Sequence, residues 1–120
     1  MKTAQIKAKI ISNQKLNGRV WYLEFESGII AKQAAPGQFV NIRVSDGLAP
    51  LLRRPISIHK VAGLKVKLVY EVIGPGTQVL AGRKPGELLD IIGPLGKGFD
   101  YRQPVKSREA KNILIAGGMG

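Results

Sequence analysis

One short run of the sequence combines residue types that can hold phosphate oxygens. Arg54 is followed by Pro55, Ile56 and Ser57 near the middle of the chain. A guanidinium presents parallel N–H donors to an oxyanion. Pro55 cannot donate to a sheet ladder, so it predicts a strand edge where a ligand could lie. In a regular strand Arg54 and Ile56 would share one face and Ser57 the other. An Arg-Pro pair at an edge also occurs for purely structural reasons, and the run alone leaves both interpretations open.

A glycine-rich turn is the second place where the backbone could approach an anion. Gly74-Pro75-Gly76-Thr77 precedes residues 78–81, which could form one or two turns of helix. Glycine lets the backbone come close to a ligand, free amides at a helix start attract anions, and Thr77 adds a hydroxyl donor. The alternative is an ordinary N-cap threonine after a turn.

The end of the sequence has the pattern of a buried parallel strand followed by a glycine-rich turn. Residues 111–116 carry a continuous apolar run, and residues 117–120 read Gly-Gly-Met-Gly. This order is typical of the start of a dinucleotide-binding βαβ unit, although such glycines also occur in plain turns. We therefore expect a barrel domain over residues 1–100, a polar linker over 101–111 and the first strand of a second domain over 112–120.

The rest of the chain is punctuated by frequent turn signals. Asn17-Gly18 is typical of a hairpin turn, and Pro-Gly pairs separate several of the other segments. Segments between these signals alternate apolar and polar residues, as strands with one buried face do. The pattern predicts an all-β fold, a six-stranded antiparallel Greek-key barrel with a short helix, in which closure protects the strand edges. The predicted strands cover residues 5–12, 20–25, 38–44, 52–59, 64–72 and 87–92.

Composition excludes several classes of site. The 120 residues include no cysteine and one histidine, His59. Disulfides, thiolate nucleophiles, iron–sulfur ligation and histidine-rich metal sites are therefore ruled out within them. No stretch approaches the roughly 20 apolar residues of a membrane helix, and the first ten residues lack a leader pattern. We expect no membrane partner and take the cytoplasm as the default location.

The formal net charge of +11 is the largest compositional bias. The positive residues are spread along the chain without a block of five or six, which favours a solvated surface. The alternative is a basic barrel that binds single-stranded nucleic acid, because such proteins use a positive groove and exposed aromatic side chains. Trp21 and Phe25 alternate onto the same predicted core face as Leu23, so we expect no nucleic-acid partner.

Together these segments resemble the FAD domain of the ferredoxin–NADP reductase superfamily. Its first flavin motif reads Arg, any residue, an aromatic, then Ser or Thr, and residues 54–57 match it except for Ile56 at the aromatic position. Within the superfamily the chain is most similar to the electron-transfer subunit of type 1B dihydroorotate dehydrogenase, and the resemblance covers essentially its whole length. The matching segments are residues 36–40, 51–58, 76–80, 92–96 and 113–118.

The resemblance implies an FAD site and no catalytic residue, because flavin performs the redox chemistry and the protein positions it. It implies that Arg54 pairs with the FAD diphosphate and that Ser57 hydrogen-bonds the flavin edge near its redox-active nitrogen. Gly76 and Thr77 would donate to the diphosphate. Ile56 leaves one ring contact apolar, without the about 0.5–1.5 kcal/mol of aromatic stacking. The expected cofactor-binding set is Arg54, Pro55, Ile56, Ser57, Val69, Tyr70, Glu71, Gly76 and Thr77, with the backbone of residues 69–71 along the ribityl and phosphate path.

The resemblance also implies a relay that extends beyond these residues. In the family, NADH reduces FAD, and a cysteine-held [2Fe–2S] centre passes electrons to the FMN of a catalytic dihydroorotate dehydrogenase subunit. The assembly is a heterotetramer that serves pyrimidine biosynthesis. The nicotinamide-binding domain and the cysteines are not among these 120 residues. We therefore expect a truncated chain that binds FAD but oxidises little NADH by itself. Equivalent flavin subunits of sulfide dehydrogenase, hydrogenase and transhydrogenase share the barrel and relay and are the alternatives.

Overall fold

A computed structural model describes residues 2–101, 109 and 111–118. Within these residues the chain forms six strands and two short helices. In chain order they are β1 (Ala4–Asn17), β2 (Val20–Glu26), α1 (Gly28–Gln33), β3 (Phe39–Arg43), β4 (Arg54–Ala62), β5 (Lys65–Glu71), α2 (Pro75–Ala81) and β6 (Leu88–Leu95).

The strands close into a barrel in the order β1-β2-β5-β4-β3-β6. Strands β3, β4 and β5 are consecutive antiparallel neighbours, and β6 returns to pair with β3, which is a Greek-key arrangement. Strand β1 completes the barrel by pairing with both β2 and β6. Each of these strands has a neighbour on both sides, so the predicted antiparallel barrel is confirmed.

The interior of the barrel is filled by one apolar face of each strand. Leu23 and Phe25 on β2 and Leu68 on β5 are all 0% exposed. Trp21 is only partly buried and packs against the same cluster. The core faces predicted from alternation are confirmed for these strands. Because Phe25 lies in the core, its ring offers no free face for stacking on nucleic-acid bases.

Strand β1 is longer than the sequence predicts. The prediction ends at Ser12, whereas the strand continues to Asn17 because its second half pairs with β2. The register shifts after Ile10 and again after Lys15, which lets one long strand follow the curvature of the barrel. The hairpin turn places Gly18 at a φ of 51°, as the Asn-Gly signal predicts.

Helix α1 is absent from the sequence prediction. Ser27 caps the helix, because its Oγ accepts the N–H of Ile30 at 3.2 Å. Ile30 is fully buried and fastens the helix to the barrel. The signal in the sequence is a serine directly before an apolar segment. The helix has only six residues, which is too short for its periodicity to be distinguished from that of a loop.

The end of the chain differs from the prediction. Residues 112–116 do not form the predicted buried strand, and Ile113, Leu114 and Ile115 are 81%, 97% and 94% exposed. A strand needs hydrogen-bonding neighbours, and the six barrel strands already pair with one another, so the barrel offers this segment no edge to join. The predicted linker lies largely outside the described residues. The assignment of residues 112–120 to a second domain stays a prediction.

Candidate functional site

A groove with a volume of about 820 Å³ lies between strands β4 and β5 and the start of α2. Cofactor and small-molecule sites commonly span about 300–1,000 Å³, so the groove is large enough for such a ligand. Residues from three separate segments of the sequence meet in it, as the prediction requires. Eight of the nine predicted site residues line the groove, namely Arg54, Pro55, Ile56, Ser57, Val69, Tyr70, Glu71 and Thr77.

Two adjacent arginines at the start of β4 make different contacts. The strand begins at Arg54, two residues later than predicted, so Arg53 lies in the preceding loop. Arg53 donates from Nη1 to the carbonyl of Asp90 at 3.1 Å and from Nη2 to its Oδ1 at 2.8 Å. Arg54 lines the groove, and its Nη1 donates to the carbonyl of Leu52 at 2.6 Å. Arg53 is therefore committed to an ion pair on β6, and Arg54 is the guanidinium that faces the groove.

Asp90 is the centre of the contacts that hold this loop. Its carboxylate also accepts from Gln5 Nε2, which is 3.2 Å from both oxygens, and Lys7 Nζ lies 3.8 Å from Oδ2. Burial of Asp90 opposes its ionisation. The hydrogen bonds from Arg53 and Gln5 and the charges of Arg53 and Lys7 outweigh burial and lower its pKa. Asp90 is therefore a carboxylate at neutral pH and fixes the segment that leads into Arg54.

Gly76 lies beneath the guanidinium of Arg54. It is buried in the first turn of α2, and a Cβ built on it would lie 2.5 Å from Arg54 Cζ. No side chain fits this position while Arg54 stays in place. The structure thus places Gly76 beside the groove, where it packs against a residue of the predicted site. Its predicted hydrogen bond to a diphosphate stays a prediction.

Thr77 is engaged with the turn that begins α2. Its Oγ1 accepts the N–H groups of Ile73 at 3.0 Å and Gly74 at 3.2 Å, and it donates to the carbonyl of Gly74 at 3.2 Å. Gly74 is the N-cap residue, and Thr77 stands at the third helical position, so its side chain reaches back in the manner of a capping box. This contact orders the wall of the groove. A role for the Thr77 hydroxyl as a donor to phosphate stays a prediction.

The part of β4 that follows Arg54 gives the groove lining an apolar side chain as well. Ile56 is half-buried and packs against the core, whereas Pro55 and Ser57 are exposed, so burial alternates along β4 as predicted. Ser57 is paired with Phe39 on β3. Ile56 and Ser57 both line the groove, although their side chains leave β4 on alternate faces.

Tyr70 joins the groove to the interior of the barrel. It is 2% exposed, and its hydroxyl donates to Asn13 Oδ1 at 2.8 Å. Burial raises the pKa of the Tyr70 phenol well above its ordinary range. The phenol therefore stays protonated at physiological pH and acts as a hydrogen-bond donor in the core.

The sequence prediction missed a set of groove residues contributed by the turn before β3 and by the segment after β6. Phe99 donates its backbone N–H to the carbonyl of Pro36 at 2.8 Å, and its ring lies against Gly37, where a Cβ would be 3.1 Å away. A Pro-Gly turn and an aromatic residue directly after a glycine are weak signals, because nothing local shows that they meet. The lining residues outside the prediction are Gly37, Gln38, Ile58, His59, Ile73, Gly74, Pro75 and Phe99.

Gln38 holds these two segments together. It is 1% exposed, its Oε1 accepts the N–H of Ala35 at 2.8 Å, and its Nε2 donates to the carbonyl of Gly96 at 2.8 Å. The side chain therefore fixes the turn before β3 against the end of β6. This contact helps to place Phe99 at the groove.

Neither a metal centre nor a membrane helix is found in the part of the chain that the structure describes. There, no three or more acidic or histidine side chains are grouped so that they could hold a metal ion. Neither α1 nor α2 is long and apolar enough to span a bilayer.

No protein-family profile matches the chain. Its curated relatives include proteins named dihydroorotate dehydrogenase B (NAD(+)), electron transfer subunit. The relative from Desulforamulus reducens is 41% identical over 115 residues, which are 94% of this chain and 42% of that protein. The relative from Bacillus velezensis is 38% identical over 122 residues, 100% of this chain and 46% of the relative. The chain therefore spans less than half the length of these relatives.

Solved structures share the barrel. An NADH-dependent reduced ferredoxin–NADP oxidoreductase superposes with a TM-score of 0.71 and 28% identity, covering 81% of this chain and 35% of that chain. A ferredoxin–NADP⁺ reductase from Plasmodium falciparum gives a TM-score of 0.64 at 16% identity over 78% of this chain and 38% of the other. The latter likeness concerns the fold alone.

Proposed function

Since this chain is a homologue of dihydroorotate dehydrogenase B electron transfer subunits and has the barrel of ferredoxin–NADP reductase-type flavin domains, we propose that it is the FAD-binding part of such a subunit. The observation that carries the proposal is the close packing of the Arg54 guanidinium on Gly76 in a groove of cofactor size. The guanidinium of Arg54 and the aliphatic side chain of Ile56, both in the groove lining, match a ligand with a diphosphate and a flat ring system.

The residues of the groove fit FAD in their chemistry. Within the described chain, the one hydrogen bond that engages the Arg54 guanidinium is the bond to Leu52, so further N–H donors remain for phosphate oxygens. Ile56 would contact the ring face, Ser57 its edge, and the backbone of residues 69–71 the ribityl path. Pro55 lies where β4 pairs with β3 alone, because the pairing of β4 with β5 begins at Ile58. Gly76 and Thr77 would complete the phosphate side. Bound FAD would supply electron transfer, and these residues would bind and orient it.

We further propose that the parent protein relays electrons from NADH to a catalytic dihydroorotate dehydrogenase subunit in the cytoplasm. This extension rests on the names of the relatives, and the [2Fe–2S] centre, the heterotetramer and the role in pyrimidine biosynthesis rest on the resemblance of the motifs. A gene for the catalytic subunit beside the gene for this chain would support this partner. A neighbouring sulfide dehydrogenase, hydrogenase or transhydrogenase gene would instead favour the corresponding alternative.

The first test is the visible absorption spectrum of the purified chain after FAD is added and the excess removed. We expect a flavin spectrum for the wild type and its loss in Arg54→Ala. Arg43→Ala is the matched control, because Arg43 lies outside the groove and donates to the backbone of Asp46. Equal FAD retention by Arg54→Ala and the wild type would contradict the proposed site, and no uptake by the wild type would contradict FAD binding by this chain.

A second test concerns the activity of the chain alone. We expect little NADH-dependent dye reduction, because the relatives are more than twice as long as this chain. Robust NADH oxidation by the 120-residue chain, at a rate proportional to its bound FAD, would contradict this expectation.

A further inference from the structure

Asn13 lies in strand β1, outside the groove, yet its side chain contacts two of the elements that form the groove. Its Nδ2 donates to the carbonyls of Leu80 and Arg83, each at 2.8 Å, at the end of helix α2. Its Oδ1 accepts from the Tyr70 hydroxyl at 2.8 Å. One amide group thus connects β1, the end of β5 and the end of α2.

Helix α2 depends on such contacts for its position. It has seven residues, and a helix of that length is not stable without tertiary contacts. Leu80 is fully buried and provides an apolar anchor, whereas Asn13 provides the polar anchor at the end of the helix. The other end of the helix carries Gly76, on which the guanidinium of Arg54 is seated.

We infer that Asn13 is a positioning residue for the flavin site. It lies outside the groove lining and acts by holding α2 against Arg54. This inference rests on the proposed function for its effect on FAD, but the tether itself is independent of any ligand. Loss of the two amide hydrogen bonds frees the end of α2. Gly76, and the Arg54 guanidinium that packs on it, are then held less firmly. Loss of the Tyr70 bond alone leaves both helix carbonyls bound.

Amide hydrogen exchange on the FAD-free chain tests the tether. In Asn13→Ala we expect faster exchange for the amides of Gln78, Gly82 and Arg83, which are bonded within α2 and its C-terminal turn. Amides of β3 and β6 should exchange as in the wild type, because Asn13 has no contact with these strands. Unchanged protection of α2 would overturn the inference whether or not the chain binds FAD.

FAD affinity tests the consequence for the site. We expect Asn13→Ala to weaken FAD binding about tenfold, and Asn13→Asp to weaken it at least as much, because a carboxylate would face two carbonyl oxygens. Tyr70→Phe, which keeps the amide donors, should have a smaller effect. If Tyr70→Phe is as damaging as Asn13→Ala while Asn13→Asp is mild, the phenol and not the helix tether is responsible, and the inference is wrong.

A matched destabilised variant separates positioning from general loss of stability. Ile91→Val on β6 removes a buried methyl group that is not part of the groove lining, so it should lower the melting temperature without changing FAD affinity. An affinity loss in Ile91→Val equal to that in Asn13→Ala would overturn the positioning role.

Discussion

The guanidinium of Arg54 occupies the space that a side chain at Gly76 would need. A Cβ on Gly76 would lie 2.5 Å from Cζ and 2.7 Å from Nη2 of Arg54, both well inside van der Waals contact. The two residues come from different motifs, one at the start of β4 and the other in the first turn of α2. Their contact makes the position of the arginine depend on the absence of a side chain across the groove.

We predict that Gly76→Ala weakens FAD binding by displacing Arg54. A charge-assisted hydrogen bond contributes about 1.5–3 kcal/mol, so the dissociation constant should rise about 10- to 100-fold. Isothermal titration of FAD into the purified chain measures this change. Gly47→Ala is the control, because Gly47 lies outside the groove and a Cβ there would be 3.7 Å from Ser45 Oγ, which is ordinary van der Waals contact.

The same pair can be tested for coupling. If Gly76→Ala acts through Arg54, the double variant Arg54→Ala/Gly76→Ala should bind FAD no more weakly than Arg54→Ala alone. Additive losses of FAD affinity would show that Gly76 contributes through its own backbone. The contact between Gly76 and Arg54 would then not explain the effect of Gly76→Ala.

We predict that Phe99 contributes to flavin binding although it was not recognised in the sequence. Its ring is 71% exposed, lies on Gly37 and lines the groove, so a ligand there would cover it. Phe99→Leu should weaken FAD binding by about 2- to 10-fold, corresponding to an aromatic contact of about 0.5–1.5 kcal/mol. Leu48→Ala is the control, since Leu48 is 84% exposed and lies outside the groove. Equal affinities for Phe99→Leu and the wild type would remove Phe99 from the site.

The Asp90 carboxylate should make stability depend on acid pH. Its folded-state pKa is lowered, so the unfolded chain binds more protons in acid. The stabilisation is therefore present above the unfolded pKa of about 3.9 and is lost as the pH falls through the folded value. The free energy of unfolding, measured in urea from pH 7 to pH 2, should fall on acidification. Asp90→Asn should be less stable than the wild type at pH 7 and converge with it in acid.

Glu24 provides the comparison for this pH dependence. The hydrogen bond from Tyr22 lowers the pKa of Glu24 against the effect of burial, and Lys65 and Lys67 add to the lowering. Glu24→Gln should therefore remove a separate part of the fall in unfolding free energy at acid pH. If the unfolding free energy of Asp90→Asn falls as steeply with acid pH as that of the wild type, the Arg53–Asp90 ion pair does not contribute to this pH dependence.

The barrel core makes a prediction for stability. Phe25 is 0% exposed at the centre of the cluster, so Phe25→Ala should lower the free energy of unfolding by about 3–5 kcal/mol through lost burial and a residual cavity. Chemical denaturation measures this loss. Leu48→Ala should change stability by less than about 0.5 kcal/mol, because that side chain is in solvent. A loss below about 1 kcal/mol for Phe25→Ala would mean that the core is less tightly packed than the structure indicates.

The parts of the structure that alternation specifies could be predicted from the sequence. A strand with one buried face must place Leu23 and Phe25 on the same side. This alternation of side chains can be read from the strand alone, without knowing which strands lie beside it. The segments of Arg54 and Gly76 could also be singled out, because guanidinium and glycine have distinct local chemistry. Their mutual contact could not be predicted, since it depends on how α2 packs across the end of the barrel.

Features that depend on non-local contacts were missed for the same reason. Phe99 reaches the groove only because Gln38 ties the turn before β3 to Gly96. The position of Asn13 at the end of α2 follows from the extension of β1 beyond residue 12, which in turn requires pairing with β2. Residues 113–115 have the composition of a buried strand, but composition does not supply the neighbouring strand that such a segment needs.

The pairing of β1 with β6 has a consequence for how the chain is made. Synthesis proceeds from the N-terminus, so β1 has only β2 beside it until the last barrel strand leaves the ribosome. Ala8 and Ile10, which are 1% exposed in the finished barrel, are incompletely covered during that interval. The apolar face of the β1–β2 hairpin is therefore fully covered only when β6 has been added.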